Sequence, residues 1–286
     1  MHVEVEDRIE FGWPARGAAN NGFLHRGRIQ EPEWRVLVCV LGGFRLLRTR
    51  QQVSIRGPKS QALLSQLALC GRRGLAREQL TCALWPEADA AIGSHNLSSL
   101  LSDLRRQLGV DIDGKAPVLV SDGMYRLNEK AGIWADVCLF EAMVERAEER
   151  LRGDDEATAM LYYDRAEAYY YGDLSVSAAE DVHVLLVRER LRAHYSNLLA
   201  RVAAYWLRCQ DPARSLHYIQ QLLERDPCRE DAHRMAMRCY TRQGARSQAL
   251  HQYHLCASVL RSEYDADPEP ATTAVFDQVR LDPANV

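Results

Sequence analysis

The sequence predicts an α+β domain followed by an all-α domain, on three observations. Short strand-like runs and glycine turns in residues 34–130 give way to helical periodicity in residues 131–286. A self-similarity of period 34 runs through residues 199–256. The charge divides at the same place. Residues 34–130 hold 14 Lys/Arg against 8 Asp/Glu, net +6, and residues 131–286 hold 18 against 25, net −7. At roughly 100–200 residues per domain, 286 residues suit two domains.

Residues 1–33 read as a poorly ordered tail, because Gly17, Asn20, Asn21 and Gly22 break any period and Pro14 and Pro32 stop long helices. From Trp34 the pattern is regular. Val36 to Leu41, Phe44 to Arg48 and Gln52 to Ile55 read as strands, with Gly42-Gly43 as a turn. Pro58 suits the first position of a helix whose apolar residues are Leu63, Leu64, Leu67, Ala68 and Cys70, ended by Gly71 and Gly74. A second helix spans residues 77–85 with Leu80, Ala83 and Leu84 inward, and Pro86 stops it. A third runs from Asp89 to Leu108, with Gly109 in the C′ place. Residues 118–120 and 124–127 flank Ser121-Asp122-Gly123, a hairpin with an Asp-Gly turn. Strands, three helices and a terminal hairpin describe a winged helix-turn-helix over residues 34–130.

The second part, residues 131–286, predicts helices over 140–151, 157–171, 181–208, 213–224, 230–242 and 246–264. Leu199, Val202, Ala203, Trp206, Ser215, Leu216, Ile219 and Leu222 map onto His233, Ala236, Met237, Tyr240, Ala249, Leu250, Tyr253 and Cys256. A 34-residue period with a small residue opening each second helix is the tetratricopeptide pattern. The clustered Tyr162, Tyr163, Tyr169, Tyr170 and Tyr171 read chiefly as inter-helix packing.

The third helix carries the chemistry. At 100° per residue, Leu97, Leu100, Leu101, Leu104 and Leu108 form one apolar stripe. His95, Ser99, Ser102 and Arg106 lie opposite, flanked by Arg105 and Ser98 on one side and by Asn96 and Asp103 on the other. Short polar groups with one long cation suit the base edges of a DNA major groove. Lys59, Arg72, Arg73, Arg77 and Arg126 around it suit phosphate contacts.

Other chemistry is not signalled. The eight cysteines form no CxxC pair and read as buried, reduced thiols. Gly57-Pro58-Lys59-Ser60 lacks the earlier glycine of a P-loop, since Val53 stands there. No GxSxG or HExxH occurs, so no enzyme, no metal and no cofactor are expected. No apolar run approaches a bilayer span, and the acidic MHVEVEDRIE does not read as a secretory signal. A cytoplasmic, nucleoid-associated protein with no membrane partner is expected.

Several motifs together resemble one family. They are Leu41-Gly42-Gly43-Phe44-Arg45-Leu46, Ala62-Leu63-Leu64, Arg77-Glu78-Gln79-Leu80, Leu84-Trp85-Pro86, Asn96-Leu97 and Leu104-Arg105-Arg106 with Leu108-Gly109. Trp134-Ala135-Asp136-Val137, Tyr171-Gly172-Asp173-Leu174, Arg188-Glu189-Arg190-Leu191, Asp226-Pro227 and Ala249-Leu250 continue them. The chain resembles the Streptomyces antibiotic regulatory proteins in their short form, over about residues 36–280. The resemblance implies an OmpR-type winged helix, then a bacterial transcriptional activator domain. It implies a transcriptional activator binding double-stranded DNA at direct repeats near a promoter, as a homodimer on DNA, and recruiting RNA polymerase. It places the polymerase-facing loop at Trp85, Pro86, Glu87 and Asp89. Ser98 and Asp103 stand where the family often has Arg, and Glu263-Tyr264-Asp265 where it usually has Glu-Leu-Gly. Those departures motivate an alternative: a protein-interaction adaptor whose winged helix binds DNA weakly and whose helical groove binds a protein or small signal.

Overall fold

A computed structural model of the chain describes residues 31–49, 51–175 and 182–283. Nearly all of the tail read at residues 1–33 lies outside the described residues. The described residues fall into two compact units, one reaching Leu191 and the other starting at Arg192.

The first unit opens with strands β1 (Val36–Cys39), β2 (Arg45–Arg48) and β3 (Gln51–Val53), paired antiparallel in sequence. Gly42 and Gly43 turn the chain between β1 and β2 with φ of 76° and 111°, where a side chain would be strained. Helix α1 (Pro58–Cys70) follows, then a 3-10 turn over Gly71–Arg73, strand β4 (Leu75–Ala76), α2 (Arg77–Leu84) and α3 (Ala90–Leu108). The hairpin is β5 (Val118–Ser121) and β6 (Met124–Leu127), turned by Asp122 and Gly123, both at positive φ. Leu63, Leu64 and Leu67 of α1, Leu80 and Leu84 of α2, and Leu97, Leu104 and Leu108 of α3 are buried. This is the winged helix that the sequence predicts, with local differences.

Ala83 is exposed, not inward, because Leu80 and Leu84 complete the narrow buried stripe of a two-turn helix. Leu100 and Leu101 are only half-buried. Gly109 is right-handed (φ −61°) and the chain continues as a 3-10 turn through Ile112, buried like the leucines before it. The left-handed stop falls at Asp113 and Gly114 instead. Strand β4 pairs with β6 and makes the wing three-stranded, in the order β4-β6-β5.

Strand β7 (Ile133–Ala135) runs parallel to β1 and extends the first sheet to β3-β2-β1-β7. It leads directly into α4 (Asp136–Arg152), which pairs with α5 (Glu156–Tyr169). Asp136 is the hinge pin of this arrangement. Its fully buried carboxylate accepts the N–H groups of Val40 (3.0 Å), Leu41 (2.9 Å) and Val137 (2.8 Å). The end of β1 and the first turn of α4 thus share one acceptor. Beside it the Gly42 N–H donates to the Asp173 carbonyl (2.9 Å), and a Cβ on Gly42 would meet the Tyr171 ring at 2.9 Å. The Arg45 guanidinium stacks 4.1 Å from the Tyr171 ring centre. The two glycine motifs of the sequence, 130 positions apart (Gly42 and Gly172), are therefore one packing joint.

Helix α6 (Val182–Arg208) carries the chain into the second unit, which adds α7 (Pro212–Arg225), α8 (Glu230–Arg242), α9 (Arg246–Tyr264) and α10 (Pro270–Leu281). Most of the period-34 positions are core, while Tyr240, Leu250 and Tyr253 are half-buried. Leu199 and His233, Ala203 and Met237, Ser215 and Ala249, and Leu222 and Cys256 are all buried. Ser215 shows why the second helix opens with a small residue: its hydroxyl donates to the Ala203 carbonyl at 2.8 Å where two helices cross. Buried His233 is satisfied on both ring nitrogens. Nε2 donates to the Pro227 carbonyl (2.9 Å), so Nδ1 accepts from the Gln252 amide (2.7 Å). Asp265 ends α9 in the left-handed conformation (φ 50°), which an Asp tolerates where the family usually has Gly. Helix α10, not foreseen from the sequence, packs Val275 and Val279 on Met237 and Ala249, and Phe276 stacks on Tyr253 at 4.1 Å. All eight cysteines are free thiols, but Cys82 and Cys209 are exposed, contrary to the expectation of buried thiols.

Asp136→Ala leaves three buried donors without an acceptor and is expected to lower stability by roughly 3 kcal/mol or more, measured by denaturation of the full chain. Burial pushes the Asp136 carboxyl up to about 7, against the three N–H donors and Arg45, which favour its charged form. The native state then holds a proton that the unfolded chain releases near its ordinary value of about 3.9. Wild-type stability is therefore expected to fall relative to Asp136→Asn as pH rises from about 4 to about 7. A pH-independent difference between the two would show the carboxyl to be charged throughout.

Candidate nucleic-acid interface

Helix α3 is placed by its leucine stripe, and by Gly93, where a Cβ would lie 3.2 Å from the Thr81 side chain of α2. That close approach seats α3 on α2 and turns the opposite face outward. His95, Ser99, Ser102 and Arg106 are all exposed on it, with Arg105 and Ser98 beside them; Asn96 is half-buried. The helix thus brings together the group that the sequence singled out. Ile92 joins them. It is 54% exposed and falls on the same face at the N-terminal end, where the helical spacing alone would place it.

Hydrogen bonding sorts the group. His95, Ser99 and Ser102 have no hydrogen-bond partner among the described residues. The Ser98 hydroxyl donates to the Ser94 carbonyl within the helix at 3.1 Å. Arg105 donates to the Gly114 carbonyl at 3.2 Å. Arg106 pairs with Asp103, one turn back, and that guanidinium holds the Asp103 carboxyl below the usual carboxylate range. Gln107 donates to the other Asp103 oxygen at 2.9 Å. Arg106 is largely exposed and Asp103 half-buried, so solvent screens the attraction on the arginine side.

The surrounding cations are placed unequally. Arg77 is a bracket: Nε donates to the Tyr125 hydroxyl of the wing (2.9 Å), and Nη1 to the Ser94 carbonyl (3.2 Å) and hydroxyl (2.5 Å) of α3. Lys59 donates to the Leu84 carbonyl at the C-terminus of α2 and lies 5.8 Å from the Trp85 ring centre. A cation there complements the negative end of the helix. It steadies the loop after α2, in which Trp85 is half-buried and Pro86, Glu87 and Asp89 are exposed. Arg72 is exposed and pairs with Glu129 at 3.3 Å. Arg126 is half-buried and, with Arg72, Leu119, Trp134 and Cys138, lines a cavity of about 370 Å³. Burial pushes the Cys138 thiol there up to about 12. Arg73 is exposed with no partner among the described residues. Among these residues no cluster of three His, Cys, Asp or Glu is placed to hold a metal, and no helix is long and apolar enough to cross a membrane.

The family model for the bacterial transcriptional activator domain matches residues 135–280. The chain belongs to the bacterial transcriptional activator domain family. The match begins at the joint where β7 meets α4 and runs through α10, so both helix pairs and the 34-residue repeats lie inside the domain. Mycobacterium tuberculosis EmbR, solved in complex with a low-affinity phosphopeptide, superposes with a TM-score of 0.70 at 21% identity over 87% of this chain. The chain spans 65% of the length of that protein. At such identity the likeness speaks for the fold, and the fold includes the winged helix ahead of the activator domain. The C-terminal TPR-containing domain of a Plasmodium falciparum FK506-binding protein aligns with 51% of this chain and 88% of its own at 12% identity and a TM-score of 0.38. No curated protein sequence matches significantly. A winged helix joined to this family's domain is the architecture of a transcription regulator of the Streptomyces antibiotic regulatory type.

Arg77→Ala removes three bonds that tie the wing to α3 and is expected to cost about 1–2 kcal/mol of stability in denaturant unfolding. Wild-type stability combined with weakened DNA affinity would instead make Arg77 a phosphate contact.

Proposed function

We propose that the protein is a sequence-specific DNA-binding transcriptional activator, with residues 34–130 as the DNA-binding domain, residues 131–286 as the activator domain, and α3 in the major groove. The observation that carries this reading is the outward face of α3, where His95, Ser99, Ser102 and Arg106 stand exposed in one row. Ile92 extends the row toward the N-terminal end, where a recognition helix meets base edges and an apolar side chain suits a thymine methyl, and the half-buried Asn96 flanks it. Arg73, Arg105 and Arg72, with the half-buried Arg126, supply positive charge for phosphates, and the net +6 of residues 34–130 supports steering toward DNA. Lys59 and Arg77 act in this reading by positioning the helices, and Ser98, whose hydroxyl is bonded within α3, stands beside the reading face. The exposed Pro86, Glu87 and Asp89 with Trp85 are the surface offered to RNA polymerase. Two copies bind direct repeats, and the protein works in the cytoplasm on the nucleoid. No catalytic step, cofactor or metal is assigned to it.

One observation favours the adaptor as second reading. Asp103 pairs with Arg106, the one arginine of the exposed row, in the last turn of α3, and places a carboxylate where DNA presents phosphates.

Selection of duplexes from a random pool by the full chain is expected to enrich direct repeats spaced by about one helical turn. A folded protein that enriches nothing belongs to the adaptor reading. Asp103→Asn releases Arg106 and is expected to tighten DNA binding. If Arg106 then reaches a phosphate, the slope of log affinity against log salt steepens by about 0.9. An unchanged affinity in Arg106→Ala removes Arg106 from the interface.

A further inference from the structure

Helix α8 of the second unit carries Arg234, Arg238 and Arg242, four residues apart and so on one face. The outer two are engaged. Arg234 donates to the Thr272 hydroxyl of α10 at 2.9 Å and pairs with Glu269 at 3.2 Å. Arg242 donates to the Leu207 carbonyl of α6 at 2.5 Å. Arg238 stands between them, half-buried, and among the described residues no hydrogen bond or ion pair reaches its guanidinium. Burial first, then Arg234 and Arg242, lower its pKa from the usual guanidinium value, and no carboxylate counters them. A partly desolvated cation between two others is unfavourable until an anion joins it. One repeat earlier the same position is Ala204, so repeat packing does not require this arginine.

The surroundings favour a small anion on an otherwise neutral surface. Residues 192–286 hold 12 Arg and 11 Asp/Glu, which lacks the broad positive field that a phosphodiester backbone requires. A guanidinium binds a carboxylate through two parallel hydrogen bonds, and the flanking cations add attraction. We propose that the α8 face centred on Arg238, bordered by α6 and α10, binds a carboxylate of an acidic peptide segment from a partner protein.

The test uses the full chain and fluorescein-labelled hexaglutamate amide, with hexaglutamine amide as the neutral control, read by anisotropy at low salt. Hexaglutamate is expected to bind and hexaglutamine not. Arg238→Gln is expected to weaken binding about tenfold, Arg238→Lys by less, and Lys130→Gln in the basic first unit not at all. The thermal midpoint of Arg238→Gln is expected to hold or rise, because the substitution removes a repelled cation. Absent binding, equal binding of hexaglutamine, equal loss in Lys130→Gln, or unchanged affinity in Arg238→Gln each overturn the proposal. A lowered midpoint in Arg238→Gln also overturns it, since that makes the arginine a packing residue. Inorganic phosphate or a short DNA duplex displacing the peptide from the Arg238 site more effectively than free glutamate would assign the site to phosphate instead. Duplex binding measured in parallel keeps this result separate from the DNA-binding reading.

Discussion

The Asp136 carboxylate is the constraint on which the first unit depends. Strand β1 ends with two N–H groups, of Val40 and Leu41, that no neighbouring strand satisfies, and α4 begins with the unsatisfied donor of Val137. One buried acceptor serves all three. Because two of those donors come from the sheet and the acceptor from α4, the sheet of the winged helix and the first helix pair of the activator domain cannot be separated without stranding Val40 and Leu41. The Gly42–Gly172 approach and the Arg45–Tyr171 stack close the same joint from the other side. This explains why the first compact unit runs on to Leu191, beyond the point where composition and charge change.

The same economy governs the wing and α3. Arg77 spans three elements, tying the wing and α3 to the start of α2. Lys59 does similar work at the other end of α2. Cations that a sequence count assigns to a polyanion are thus divided. Some hold the scaffold, and others, Arg73 above all, stay free at the surface. Net charge predicts attraction at long range, but partners decide which cation can act at short range.

In the second unit, the repeat explains both regularity and exception. Small residues at Ser215 and Ala249 let paired helices cross closely, and apolar side chains fill the remaining core positions. His233 is a polar residue in an apolar slot, tolerated because Pro227 and Gln252 satisfy both ring nitrogens. Burial depresses its pKa, so this packing favours neutral pH and weakens as pH falls. Arg238 is the converse case, a half-buried charge that nothing in the repeat satisfies.

What the sequence determined by itself was the set of elements with a period or a local signal. The leucine stripe of α3 and its polar face, the Asp-Gly turn, Pro58 at the start of α1 and the 34-residue repeat all follow from spacing along the chain. The spacing also contains, unread, the three-residue separation of Asp103 and Arg106 and the place of Ile92 on the reading face. Tertiary structure alone decided the rest. Strands β4 and β7, of two and three residues, are too short to show alternation, and each exists only through its pairing with β6 or β1. Helix α10 depends on the surface that α8 and α9 present to it. The roles of Asp136 and Arg77, and the unanswered charge of Arg238, depend on which groups folding brings within hydrogen-bond reach. Those groups lie far apart in the chain, so no local pattern records them.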